Sequence, residues 1–178
     1  SQSDKLAARL QSSRLTPKES WVLYSAIYNA KIYFPAKISS YTHDDWSRIT
    51  SRAIMAFLPK MGFNRHMKRD LAFAPRSYGG VGLTHGYAKQ GAEGICHILT
   101  HLRWKEDLGT LMLAVLSQLQ LLSGRGQCLL EHPEPSPAKN PKKSSHIYKW
   151  HHLGIGWFQS IRFFLHSIQG AIHICNLW

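Results

Sequence analysis

Three glycines within four residues, Gly79, Gly80 and Gly82, interrupt a chain whose flanks otherwise carry helical periodicity. Glycine reaches positive φ without steric cost and lets another backbone approach closely, so such a cluster marks a turn or a close contact. It closes the stretch Gly62–Thr84, which also packs Arg65, Lys68 and Arg69 around His66, with Asp70 the one acid nearby. The pattern predicts two helical halves hinged at this stretch, with a positive surface attached. Leu71–Phe73 and Val81–Leu83 are short enough to pair as β segments around Pro75–Gly80, which leaves a small β element open at 71–83.

The helices announce their own starts. Asp4–Gln11 carries Leu6, Ala7 and Leu10 on one face. Thr16-Pro17-Lys18-Glu19 combines a capping Thr, a Pro at the first helical position and a Glu three residues after the cap. The run that follows places Trp21, Tyr24 or Leu23, Ile27, Tyr28 and Ile32 on one side and ends near Phe34, because Pro35 follows. Thr42 and Asp45 start another, with Trp46, Ile49, Ala53, Phe57 and Met61 as its stripe and Gly62 as its stop. Tyr87–Arg103 shows Ala88, Ala92, Ile95, Leu99 and Leu102 at helical spacing, loosened by Gly91 and Gly94. Asp107–Leu122 and Trp157–Ser167 complete the set. The expected architecture is a mainly α domain of about five helices around Trp21, Trp46, Phe57, Leu99 and Val115. Its boundaries are a helical body at 1–130, a linker at 131–145 rich in Pro and Lys, and a helical segment at 146–178.

Charge points to the partner. The chain holds 22 Lys and Arg against 10 Asp and Glu, a net +12 before any of its 11 His is protonated. An excess of that size favours a polyanion, nucleic acid first and an anionic membrane surface second. Arg48, Arg52, Lys60, Arg65, Lys68 and Arg69 fall within 48–69, and Arg76, Lys89 and Arg103 extend the series. Such a run binds phosphates by counterion release without reading bases. Cys96, Cys128 and Cys175 are odd in number and lack a C-x-x-C, which fits a reducing compartment, nuclear or cytoplasmic. No signal peptide opens the chain and no initiator Met is present, so a fragment or processed chain is expected. Arg162, His166, His173 and the glycines of 153–178 argue against a spanning helix.

No motif supplies a self-sufficient catalytic site: G-x-x-x-x-G-K-[ST], G-x-S-x-G and H-E-x-x-H are all missing. Asp44-Asp45 follows Tyr41 with a spacing one residue off the polymerase Tyr-x-Asp-Asp, and capping accounts for both aspartates. Glu93, His97 and His101 share a helix face, but the end members stand about 12 Å apart along a straight helix and cannot meet at one ion. A metal site would need His97 and His101 plus ligands from elsewhere. No metal and no cofactor are expected.

Several stretches resemble a known family. Ser13–Glu19 leads into Ile32-Tyr33-Phe34-Pro35; Leu58–Arg65, Phe73-Ala74-Pro75, Tyr78–Leu83, Gln90-Gly91 and His101-Leu102-Arg103 follow in order. Together they resemble the region after the polymerase core in reverse transcriptases of non-long-terminal-repeat retrotransposons, and Trp157–Leu165 is similar to the segment that comes next. The resemblance implies a thumb and its extension, a helical element that grips the primer–template duplex. It also implies that the catalytic aspartates lie upstream, in a polymerase core outside this chain. The expected function is therefore non-catalytic, sequence-nonspecific binding of an RNA–DNA or RNA duplex, with Gly79, Gly80 and Gly82 as a structural turn. The rivals are an interfacial membrane protein anchored by 157–178 and a metal protein built on His97 and His101.

Overall fold

The computed structural model describes residues 2–104, 106–123, 129–131 and 156–174. Beyond Glu131 the expected linker lies outside the described residues, as do 146–155 and 175–178 of the expected C-terminal segment, together with Cys128 and Cys175. The protein is mainly α-helical, and its chain divides into two compact units, Ser1–Gln90 and Gly91–Trp178. Among the described residues there is no β-strand, and no helix is long and apolar enough to cross a membrane.

In the first unit, α1 (Gln2–Ser12) packs against α4 (His43–Lys60). Ala7 and Leu10 are buried on one side, and Ala53, Ala56 and Phe57 on the other. Between them, α2 (Pro17–Val22) runs into a π-helix over Leu23–Tyr28 and on into α3 (Asn29–Tyr33) and a 3-10 turn at Phe34–Lys37. Two capping boxes set the starts. Thr16 accepts from the Glu19 amide while the Glu19 carboxylate accepts from the Thr16 amide, and Thr42 and Asp45 repeat the arrangement. The donated hydrogen bonds hold both carboxyls below their usual range. At the other end of α4, Gly62 takes φ +88°, its amide donates to the Pro59 carbonyl, and the Phe63 amide donates to Leu58. These two bonds form a Schellman stop, which satisfies carbonyls that the helix end leaves open.

The π turn is where helical periodicity misleads. The Asn29 amide donates to the Tyr24 carbonyl, five residues back. That wider turn keeps both Tyr24 and Tyr28 in the core, stacked at 5.5 Å, with Phe57 edge-on to each at 5.1 and 5.3 Å. Ile27, expected on the buried stripe, is rotated outward and is 41% exposed. Burial raises the Tyr24, Tyr28 and Tyr33 phenols, Tyr28 to about 12, so all three remain hydroxyls at neutral pH.

The connection at 71–83 is not a β pair. Residues 69–73 form a short helix, α5 (Arg69–Phe73), followed by a 3-10 turn at Arg76–Tyr78 and an extended return. The return still bonds back across the turn: Val81 N–H donates to Leu71, Gly82 to Ala74 and Leu83 to Ala72, at 2.9–3.0 Å. A helical partner offers its carbonyls with helical spacing, so no ladder can propagate from them. Gly79 and Gly82 take φ +78°, and a Cβ on Gly80 would sit 2.0 Å from the Ala74 carbonyl oxygen. Thr84 is then fastened three times: its amide donates to Tyr24 Oη, its carbonyl accepts from Tyr33 Oη, and Asn29 Nδ2 donates to its hydroxyl.

The second unit is built from α6 (Gly86–Trp104), which gives its first residues to the first unit, with α7 (Asp107–Ser123) and α8 (Gly156–Ser167). Its core is Ile98, Met112, Leu116, Leu119, Phe158, Ile161 and Leu165, joined by Leu129, Leu130 and Ile172. The buried set is thus two clusters, not the one cluster around Trp21, Trp46, Phe57, Leu99 and Val115 that periodicity suggests. Leu99 is 48% exposed because α6 turns Gly91, Gly94 and Ile98 inward instead. The glycines read as loosening this helix are its packing surface: Cβ atoms there would lie 2.1 Å from the Phe164 ring and 3.0 Å from Ile161. Gly109 serves the α6–α7 approach in the same way, over the His101 carbonyl.

Candidate nucleic-acid interface

The basic residues of the first unit divide by what already holds them. Arg48 and Arg52 project from successive turns of α4, both exposed. Arg52 Nη1 lies 3.4 Å from the Asp4 carboxylate on α1. An exposed pair of this kind contributes about 0–1 kcal/mol and leaves the guanidinium open to exchange. Lys60 is half-buried and donates to the Ser13 carbonyl, which ties the end of α4 to the segment after α1. Arg65 sits on the exposed turn beyond Gly62, where the Asn64 side chain accepts from the His66 amide. Lys68 is the exposed residue just before α5.

Arg76 lies 3.9 Å from the centre of the Trp21 ring, and its Nε donates to the Val81 carbonyl. It fastens the glycine-rich turn to α2, a cation–π contact of about 0.5–1 kcal/mol. Lys89 is exposed on the first turns of α6. Arg103 belongs to the second unit. Among the cations expected to track phosphates, Arg48, Arg65 and Lys68 are exposed, lie in the first unit and are not part of the ties formed by Arg52, Lys60 and Arg76.

Arg69 differs from the rest, and its surroundings are what sequence reading missed. It is half-buried at the start of α5, and its Nη1 is buried with no hydrogen-bond partner. It lines an open cleft of about 560 Å³ between one face of α4, α5 and the start of α6. The α4 side supplies His43, Ser47, Thr50 and Ser51 over the buried Trp46; α5 supplies Arg69, Asp70 and Phe73; the third wall is His85 and Gly86. Gly86 is required there, since a Cβ would lie 2.5 Å from the Trp46 ring. His43 and His85 are 42 residues apart in sequence, and nothing in the local pattern of either predicts their meeting at 5.3 Å.

One hydrogen bond and two ring contacts orient this wall. His85 Nδ1 accepts from the Ala88 amide, which caps α6 and leaves the ring's proton on Nε2. Phe73 packs edge-on to His85 at 4.8 Å, and Tyr87 edge-on to His43 at 5.8 Å. Burial, and then the neighbouring His43, lowers the His85 pKa from its usual 6.5. The folded state therefore resists a proton that the unfolded chain accepts. The stability this site contributes is complete above about pH 6.5 and declines as pH falls through the lowered folded value. Replacing His85 with Asn keeps a capping side chain and removes the titration. The loss of melting temperature between about pH 7.5 and 5.5 is expected to be smaller in His85→Asn than in the parent. Thermal unfolding at both pH values checks this, and parallel curves would refute it.

The other candidates are arranged differently. Asp45 is committed to the Thr42 cap, and Asp44 lies 3.7 Å from His43. His97 and His101 stack edge-on at 4.5 Å, with Trp157 against His97 and Glu106 3.4 Å from His101. Among the described residues no three His, Cys, Asp or Glu side chains gather in a way that could hold a metal ion. No family model, curated protein or solved structure matches the chain.

Proposed function

We propose that the Ser1–Gln90 unit grips a nucleic-acid duplex by its phosphate backbone, without reading sequence. The role is that of the thumb-like part of the retroelement reverse transcriptase that the sequence resembles. The observation that carries this reading is the exposed trio Arg48, Arg65 and Lys68, in a chain of net charge +12. Long cationic side chains of this kind release counterions from a duplex on contact. Two other cations of the series tie the scaffold beneath them: Lys60 on Ser13 and Arg76 on Trp21 and Val81. The role is a grip and not a catalytic one; nucleotide incorporation would come from a polymerase core.

Binding to a fluorescent RNA–DNA hybrid, followed by anisotropy over a salt series, tests this. Three phosphate contacts give a slope of log K against log salt of roughly −3, at about −0.9 per neutralised phosphate. Arg48→Glu, Arg65→Glu and Lys68→Glu together are expected to weaken binding by at least about tenfold and flatten that slope. Reversing exposed Lys5, Arg9 and Lys18 changes net charge identically and is expected to cost much less. Equal losses from the two triples, or tighter binding to anionic vesicles than to the hybrid, would overturn the reading.

A further inference from the structure

We propose that the cleft between α4, α5 and the start of α6 is a binding site for a nucleoside monophosphate. This assignment does not rest on the duplex grip: it concerns a separate concavity and a small ligand. Three features carry it. The cleft, about 560 Å³, is in the size range of small-ligand sites. Its wall holds a guanidinium whose Nη1 is buried and has no hydrogen-bond partner. That nitrogen is out of solvent's reach, and it is the rest of the half-buried Arg69 guanidinium, in the cleft wall, that offers donors to an anion. Finally, the cleft offers rings as well as charge. The His43 side chain is 60% exposed on its rim, with Trp46 beneath, and a base can stack on such a face.

The polar groups assign the parts of the ligand. Arg69 takes the phosphate, with the Ser47 and Ser51 hydroxyls as further donors. The Thr50 hydroxyl is already directed to the Trp46 carbonyl at 2.8 Å and takes no part. Asp70 is the one carboxylate in the lining; it repels phosphate and accepts from ribose hydroxyls, which fixes the ligand's direction. A bare phosphate satisfies only Arg69 and the hydroxyls, and a nucleoside only the rings and Asp70. Both parts together give the tighter complex.

Isothermal titration of the whole chain with adenosine 5′-monophosphate, uridine 5′-monophosphate, adenosine and inorganic phosphate tests this. Saturable binding of both monophosphates is expected, with adenosine and inorganic phosphate each at least about tenfold weaker. Arg69→Gln is expected to weaken the monophosphates by about tenfold or more while leaving the melting temperature unchanged or raised, because the buried donor has no partner to lose. Ser51→Phe fills the cleft without touching Arg69 and is expected to abolish binding. The Arg48/Arg65/Lys68 triple reversal is expected to keep it, so loss of the duplex grip and loss of this site are separable. Absence of saturable binding by the parent would overturn the assignment. So would unchanged affinity in Arg69→Gln and Ser51→Phe, or inorganic phosphate binding as tightly as the nucleotides.

Discussion

Replacing Gly91 by alanine is expected to destabilise the second unit by about 2 kcal/mol, against the usual direction for a glycine in mid-helix. Elsewhere in a helix the change gains about 0.5–1 kcal/mol, since alanine loses less backbone entropy on folding. Here the new methyl would lie 2.1 Å from the ring of Phe164, itself only 8% exposed. Overpacking a core in this way costs about 1–3 kcal/mol, occasionally more, because a planar ring must leave its rotamer or push α8 away. Gly91 carries no positive φ, so backbone strain does not confuse the result. Gly94→Ala is a graded companion: its methyl meets the Ile161 side chain at 3.0 Å, and a flexible aliphatic chain yields more easily. Combining Gly91→Ala with Phe164→Leu is expected to recover at least about 1 kcal/mol relative to the sum of the single changes. Urea unfolding of the four proteins measures the cycle; a Gly91→Ala protein as stable as its parent would show that the α6–α8 contact is looser than described.

The second large effect lies in the first unit, at Gln90. This side chain is 3% exposed and all but complete in its bonding. Its Oε1 accepts from the indole of Trp46 at 2.8 Å and from the Ser39 hydroxyl at 2.9 Å, and its Nε2 donates to the Tyr41 carbonyl at 3.0 Å. Gln90→Leu keeps the volume but strands a buried indole N–H and a carbonyl, each at about 1–3 kcal/mol, so a total near 3 kcal/mol is expected. Adding Trp46→Phe removes the stranded donor and should restore part of that loss, since deleting both partners is cheaper than deleting one. Gln90→Glu keeps the acceptor and should fall between. Denaturant midpoints decide it: a Gln90→Leu protein within about 0.5 kcal/mol of its parent would mean that water replaces the amide.

What was legible in the sequence is what short-range chemistry decides. Thr16 with Glu19, and Thr42 with Asp45, can be read as helix starts because each box closes within four residues. Gly62 can be read as a stop for the same reason. The π turn at Leu23–Tyr28 is different: the same residues suit an ordinary helix, and the choice rests with Phe57, which packs edge-on against the stacked Tyr24 and Tyr28 from another element. Gly91 and Gly94 read as weak points because a sequence shows the missing side chain but not Phe164 and Ile161 filling its place. The basic run was visible, whereas the sorting of its members was not. Whether a cation meets solvent, a carbonyl or an aromatic ring depends on partners up to 55 residues away, as for Arg76 and Trp21. The cleft had no signature at all, because its walls come from three separated stretches.

The fastening of Thr84 bears on the order in which the first unit can assemble. Its three bonds reach back 51 to 60 residues, to Tyr33, Asn29 and Tyr24. Closing a loop of that length is entropically unfavourable until other contacts hold its ends, whereas the capped helices on the way need only local closure. The helices and the Tyr24–Tyr28–Phe57 cluster can therefore form first, with the glycine-rich return arriving on a surface already prepared. Arg69 and His85 flank that return, so on this order the cleft is completed after the helices that form its floor.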